Sequence, residues 1–76
     1  MYEYLTVKET LNTPEFGEYT TFGIKIAERK ENAEPEAILF ISDVSLNQAL
    51  VESITERCTE HQLSPIHIFD VIEDEI

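Results

Sequence analysis

The sequence predicts an α+β domain in which a three-stranded antiparallel β-meander is followed by two α-helices packed on one face of the sheet (βββαα). Residues 2–44 contain three segments with strand patterning, separated by short polar turns. Residues 45–61 and 65–75 instead place apolar side chains three and four positions apart, which is the period of a helix. With 76 residues, the chain is expected to form a single domain, 1–76, around a small core.

The first two predicted strands each have one apolar face. Tyr2–Leu11 and Glu18–Arg29 alternate between two sets of side chains with the period of two that a half-buried strand shows. The turn between them contains Pro14, which fixes the backbone and lacks an amide donor. Gly23 lies inside the second strand, where a glycine is typical of a bulge or of a close approach by another part of the chain.

The third predicted strand, Ala37–Val44, is apolar on both faces. If both helices cover the same side of the sheet, one of its two apolar pairs must lie on the open side, either Ile38 with Phe40 or Leu39 with Ile41. We expect that pair to lie near Tyr4 and Ala27 in an apolar patch, and such patches usually mark contact surfaces. The predicted interaction residues are therefore Tyr4, Ile38, Leu39, Phe40 and Ile41. Self-association is the leading structural hypothesis, because a three-stranded sheet also has two edges to protect.

The first helix is predicted over Ser45–His61. Ser45 is placed to cap its N-terminus, and Gln48 three residues later completes a Ser-x-x-Gln capping box. The residues expected to face the sheet recur at helical spacing and are Leu46, Ala49, Leu50, Ile54, Cys58 and His61.

The second helix is predicted over Pro65–Glu75, with Ser64 as its N-cap. Its expected apolar stripe consists of Ile66, Phe69, Ile72 and Ile76. Acidic residues crowd its C-terminal half, where they oppose the helix dipole. We therefore expect this end either to fray or to be met by a cation such as Lys8, Lys25 or Arg29.

The charge of the chain is strongly negative and unevenly placed. Residues 1–30 carry five acids and four bases, a net charge of −1, whereas residues 31–76 carry eleven acids and one base, Arg57, a net charge of −10. Together they give the net charge of −11, which argues against nucleic acid and anionic membranes as partners. The simplest interpretation is that this acidity keeps a small protein soluble. The alternatives are a basic protein partner and mimicry of nucleic acid, and the other partner predicted is a second copy of the chain, as a homodimer.

The sequence also carries expectations about compartment. The single cysteine, Cys58, excludes an intrachain disulfide, and no apolar run approaches the length of a membrane span. The N-terminal residues lack the basic and apolar regions of a signal peptide. We therefore expect a soluble, cytoplasmic protein.

Three sets of residues have chemistry-bearing side chains. Cys58, His61 and His67 include zinc-ligand types, but only one is a cysteine and the paired spacing of zinc motifs is missing, so a structural role is expected. Ser64, His67 and Asp70 have the residue types of a catalytic triad, but helical spacing points them around the axis, and Ser64 is better explained as a cap. His67, Asp70 and Asp74 fall on one helical stripe and form the alternative hypothesis, a metal- or ligand-binding site.

These observations favour a non-enzymatic interaction or regulatory module that self-associates, without a cofactor. The open sheet face and the acidic helix surface are its expected contacts. An enzyme is not expected, because the chain offers no activated nucleophile and little room for a deep pocket. The alternative is a small metal- or ligand-binding domain that uses His67 with Asp70 and Asp74.

The C-terminal residues carry a resemblance to a known family. Residues 63–74, LSPIHIFDVIED, resemble the closing motif of short uncharacterised proteins from clostridial bacteria. Phe22-Gly23-Ile24 is similar to a strand of that family, and residues 41–45 are similar to its strand end before a capped helix. The resemblance implies a cytoplasmic bacterial protein classed as a domain of unknown function, with no activity or cofactor to carry over. It adds weight to His67 and Asp70.

Overall fold

The computed structural model describes residues 1–76 and has three strands followed by two helices. The elements are β1 (Tyr2–Thr13), β2 (Gly17–Glu28), β3 (Glu36–Ser45), α1 (Gln48–Glu60), a 3₁₀ turn (Pro65–His67) and α2 (Ile68–Glu75). The strands form one antiparallel sheet in the order β1-β2-β3, so each strand pairs with its neighbour in sequence. The predicted α+β fold, a β-meander followed by two helices, is confirmed. None of its helices combines the length and the apolar character needed to span a lipid bilayer.

β1 and β2 form a long regular hairpin. Their register runs without interruption from Tyr2 opposite Glu28 to Thr13 opposite Gly17. At the turn the Thr13 hydroxyl accepts a hydrogen bond from the Phe16 amide at 3.1 Å, and Gly17 has a positive φ of 68° that suits a residue without a side chain. β3 pairs with this hairpin, and α1 packs against both of its strands.

The core lies between one face of the sheet and the two helices. Its buried members are Tyr4, Phe22, Ile24, Ile26, Val51, Ile54, Cys58 and Ile68. Burying one large apolar side chain of this kind stabilises the fold by about 1.5–3 kcal/mol. We call this side of the sheet the covered face, and the opposite side the open face.

The side of α1 that meets the sheet differs from the predicted one. Ile54 and Cys58 are buried as expected, but Val51 and Thr55 are the other buried residues of this helix. Leu46 precedes the helix and is exposed, and His61 at its C-terminus is exposed too. The polar Thr55 is tolerated in the core because its hydroxyl bonds the Glu52 carbonyl and the Thr6 hydroxyl, both at 3.0 Å.

The cap of α1 also differs from the prediction. Asn47 is the N-cap, and its side-chain oxygen accepts a hydrogen bond from the Leu50 amide at 3.2 Å. Ser45 belongs to β3, and its hydroxyl accepts from the Asn47 amide at 3.1 Å. The expected capping box at Ser45 and Gln48 is therefore wrong, because the strand continues through Ser45 and the helix begins later.

Asn47→Ala is expected to lower the free energy of unfolding by about 1 kcal/mol, because it leaves a helix N–H without its acceptor. The measurement is the urea midpoint followed by far-ultraviolet circular dichroism. Ser45→Ala serves as the control, since the Ser45 hydroxyl bonds no amide of α1, and we expect it to shift the midpoint less. A larger effect at Ser45 than at Asn47 would contradict this assignment of the cap.

The second helix is rotated relative to its predicted phase. Ile68 is fully buried, with Val71 and Ile72 packed beside it, whereas Ile66, Phe69 and Ile76 are exposed. The segment begins with a 3₁₀ turn, so Ile66 lies outside α2 and the buried stripe starts at Ile68. Ser64 precedes this turn, as predicted, but its side chain makes no capping hydrogen bond.

The acidic end of α2 is held by a cation from the neighbouring helix. Arg57 of α1 forms a 2.8 Å ion pair with Glu75, near the C-terminus of α2. The expected partners Lys8, Lys25 and Arg29 do not take this role: Arg29 pairs with Glu3 at 2.8 Å. Arg57 is one turn before the end of α1, where its charge also complements the dipole of that helix.

Candidate interaction surface

The open face of the sheet carries exposed apolar side chains that no helix covers. Its largest are Leu5, Ile38 and Phe40, which are 44%, 44% and 49% exposed. Leu5 and Phe40 are the opposite neighbours of Lys25 in the register, so they lie in one row across the sheet. We call Leu5, Ile38 and Phe40 the open-face patch.

The structure separates the two apolar pairs of β3. Ile38 and Phe40 lie on the open face, whereas Leu39 and Ile41 are half-buried against the core on the covered face. The register decides this, because Leu39 pairs with Ile26 and Ile41 with Ile24, both core residues. The pair on the open side is therefore Ile38 with Phe40, which is one of the two alternatives that the sequence left open.

Tyr4 does not lie beside this patch. It pairs with Ile26, is 4% exposed on the covered face, and donates its hydroxyl hydrogen to the Leu63 carbonyl. Burial raises the pKa of Tyr4 to about 12, which keeps the phenol protonated as a donor. The expectation that Tyr4 lies near the open-face patch is wrong, because its neighbours across the sheet are core residues.

The outer edge of β1 is partly closed by the end of α1. The Thr59 hydroxyl accepts from the Tyr4 amide at 2.9 Å and donates to the Tyr4 carbonyl at 3.3 Å. The Gln62 side chain does the same for Tyr2, with distances of 2.8 and 3.0 Å. These four bonds satisfy the backbone of two residues that would otherwise be open to another strand.

Gln62 reaches this edge from the turn that ends α1. It has a positive φ of 50°, and the Gln62 and Leu63 amides donate to the Thr59 and Cys58 carbonyls at 3.2 and 3.0 Å. This is the pattern of a Schellman motif, in which glycine usually occupies the left-handed position. Here a glutamine occupies it, and its side chain bonds β1.

The outer edge of β3 has no comparable cover. Met1 before β1 and Arg29 after β2 exchange two backbone hydrogen bonds, at 2.7 and 3.1 Å. Along an antiparallel strand, the backbone N–H and C=O of successive residues point to alternate edges. The backbone groups of odd-numbered β2 residues therefore bond β1. Those of even-numbered β2 residues bond β3, where their partners are Leu39 and Ile41. Phe40, between those two, directs its backbone N–H and C=O outward from the sheet.

The charge of the open face differs from that of the whole chain. Its charged side chains are Glu3, Glu9, Lys25, Arg29 and, at the far end, Asp43, which makes three acids and two bases. Glu3 and Arg29 are paired with each other. The face therefore has a net charge of −1 in a chain whose net charge is −11, so repulsion between two copies that meet through it is weak.

A polar cluster at the far end of the open face was not predicted. The Glu9 carboxylate crosses β2 above Gly23 and accepts from the Ser42 hydroxyl and the Asp43 amide, both at 2.8 Å. A Cβ atom at Gly23 would lie 2.5 Å from the Ile41 carbonyl oxygen and 2.9 Å from Glu9 Oε2. The expectation of a bulge or close approach at Gly23 is confirmed, since a register shift also falls there.

Asp43 is the residue of this cluster with a left-handed backbone. Its φ is 53°, a conformation that asparagine and aspartate adopt more readily than other residues with a side chain. The Thr21 and Tyr19 hydroxyls donate to its two carboxylate oxygens at 2.6 and 2.9 Å. These donors hold the pKa of Asp43 below its ordinary value, so the carboxylate is ionised. Gly23 was the only signal of this site in the sequence.

The residues of the alternative site are not assembled into a cluster. His67, Asp70 and Asp74 are exposed, and His67 lies in the 3₁₀ turn, so the spacing of a single helix does not apply to it. No group of three or more His, Cys, Asp or Glu side chains in the chain is arranged to hold a metal ion.

Cys58 lies apart from this helical segment, within the core. It is 5% exposed, and burial raises the pKa of its thiol, which keeps the sulfur protonated. The Ser64 carbonyl accepts from the His67 amide at 3.0 Å, which is a backbone contact of the 3₁₀ turn. Cys58 thus belongs to the core, and the backbone bond between Ser64 and His67 closes the 3₁₀ turn.

Comparison with known proteins places the chain in a family. No curated protein and no solved structure matches it significantly. A family of unknown function, DUF6514, matches residues 1–76, which is in line with the resemblance to a domain of unknown function. Over its whole length, the chain belongs to the family of unknown function DUF6514.

Proposed function

We propose that this protein is a small non-enzymatic interaction module that self-associates through β3. In the proposed dimer, β3 pairs antiparallel with β3 of a second copy, so that the two sheets become one. The observation that carries the proposal is the uncovered edge of β3. Phe40 directs its backbone groups outward there, and its side chain is apolar and exposed.

The sequence of β3 suits pairing with itself. Charged side chains and proline usually protect an edge strand from pairing with another strand. Residues 37–42 contain neither. About a two-fold axis at Phe40, the two Phe40 residues exchange backbone hydrogen bonds and their rings lie side by side on the open face. An aromatic cross-strand pair of this kind contributes roughly 0.2–1 kcal/mol beyond its backbone bonds.

Lys25 favours pairing at the edge over stacking of the two open faces. It lies between Leu5 and Phe40 in the middle strand of the sheet and is exposed. Stacking would bury its ammonium group in an apolar interface, which is costly without a partner. Pairing of the β3 edges leaves Lys25 in water and still brings the exposed side chains of β3 together.

Phe40→Lys is expected to weaken self-association at least tenfold (about 1.4 kcal/mol), because it places like charges opposite each other at the centre of the paired strands. The measurement is sedimentation velocity over a range of protein concentrations, compared with the unaltered protein. Circular dichroism of the variant checks that it is folded.

Leu5→Lys is the matched control for this experiment. It introduces the same charge on the same face from a side chain of similar exposure, but on β1, away from the proposed contact. Edge pairing predicts a small effect at Leu5 and a large one at Phe40. Equal effects at the two positions would instead indicate stacked faces, and an unaltered protein that stays monomeric at every concentration would overturn the proposal.

A further inference from the structure

The turn of the β1–β2 hairpin and the end of β3 enclose a groove that the proposed self-association does not use. It has a volume of about 430 Å³ and is lined by Phe16, Tyr19, Asp43 and Leu46. Phe16 and Leu46 are 79% and 66% exposed, so both side chains are accessible to a ligand in the groove. The one carboxylate in the lining belongs to Asp43.

The position of Asp43 is fixed by contacts on several sides. Its amide donates to Glu9, and its two carboxylate oxygens accept from Thr21 and Tyr19. Each carboxylate oxygen has two lone pairs, so one acceptor position on each remains after these bonds. The carboxylate is therefore held in place with both oxygens able to accept a further hydrogen bond.

No cation of the chain pairs with this carboxylate. The segments that build the groove, residues 9–24 and 31–56, contain no lysine or arginine. The ion pairs of the chain lie elsewhere, at Arg29 with Glu3, Lys30 with Glu28 and Arg57 with Glu75. An ionised carboxylate thus stands in a groove with two aromatic residues and has no internal counter-ion.

We propose that this groove binds the guanidinium group of an arginine side chain presented by a basic partner protein. A guanidinium group is planar, donates two parallel hydrogen bonds to a carboxylate, and is attracted to aromatic rings. Asp43 supplies the carboxylate, Phe16 and Tyr19 supply the rings, and Leu46 contacts the aliphatic part of the side chain. The net charge of −11 draws a basic partner to this surface.

The test is a titration of ¹⁵N-labelled protein with N-acetyl-arginine amide, followed by nuclear magnetic resonance. We expect saturable shifts centred on residues 16–19 and 43–46. N-acetyl-citrulline amide, which is neutral and nearly the same shape, is expected to bind at least about fivefold more weakly, since it lacks the charge. Equal binding of the two probes, or shifts spread evenly along the acidic helices, would overturn the proposal.

Three variants locate the contact. Phe16→Ala is expected to weaken binding about threefold through loss of a cation–π contact, and its exposure means that the fold does not depend on it. Asp43→Asn removes the charge and introduces a residue that tolerates a positive φ, and we expect it to weaken binding about fivefold or more. Asp74→Asn makes the same change at an exposed site on α2 and should leave binding unchanged. Equal losses at Asp43 and Asp74, or unaltered binding by Phe16→Ala, would refute the groove as the site.

Discussion

Ile54→Ala is expected to remove about 2–5 kcal/mol from the free energy of unfolding, the largest loss of any single change considered for this protein. Ile54 has no exposed surface and belongs, with Ile24 and Ile26 of the sheet, to the buried core. Truncation leaves a cavity that a close-packed core fills only in part. A small domain has a total stability of about 5–15 kcal/mol, so the loss is a large fraction of it.

Urea unfolding followed by circular dichroism measures this loss, with the slope of the transition checked against that of the unaltered protein. Ile66→Ala is the matched control, because it deletes the same atoms from a side chain that is 80% exposed. We expect it to change the free energy by less than about 0.5 kcal/mol. Similar losses at positions 54 and 66 would mean that the packing of α1 on the sheet is not as described.

The strands could be predicted from the sequence because their signal is local. The alternation from Tyr2 onward and the apolar run at Ile38–Ile41 mark strands whatever surrounds them, and no predicted bound differs from the observed one by more than two residues. The order β1-β2-β3 follows from short connections between successive strands. These features need no knowledge of distant contacts.

The faces of the helices were predicted less well, because their phase depends on where each helix begins. Moving the cap of α1 from Ser45 to Asn47 places Leu46 outside the helix. In α2 two apolar stripes were available, and the 3₁₀ turn selects the one that starts at Ile68. Thr55 was not among the predicted core residues, and its two hydrogen-bond partners cannot be recognised in the sequence alone.

The candidate surface was foreseen in part for a related reason. The sequence required one apolar pair of β3 to face outward, but only the register with β2 distinguishes Phe40 from Ile41. The cluster around Asp43 depends on a register shift that brings Glu9 of β1 to Ser42 and Asp43 of β3. Such contacts join residues 33 and 34 positions apart, so no local sequence pattern predicts them.

Gly23→Ala is expected to lower the free energy of unfolding by about 1–3 kcal/mol, although it adds only one methyl group. The new Cβ atom would lie 2.5 Å from the Ile41 carbonyl oxygen, a backbone atom that moves only with the strand, and 2.9 Å from Glu9 Oε2. Gly17→Ala provides the contrast: nothing lies within 4 Å of its Cβ, but its φ of 68° costs about 1–2 kcal/mol.

The double variant Glu9→Ala with Gly23→Ala separates the two sources of crowding at Gly23. Removing the Glu9 carboxylate relieves the side-chain contact but leaves the Ile41 carbonyl in place, so we expect the two changes to cost less together than the sum of the single changes. Urea midpoints of the four proteins in the cycle measure this coupling. Strict additivity would contradict the placement of the carboxylate above Gly23. Complete rescue would mean that β3 can move away from β2 at this point, and that the bulge holding Asp43 is not a fixed part of the sheet.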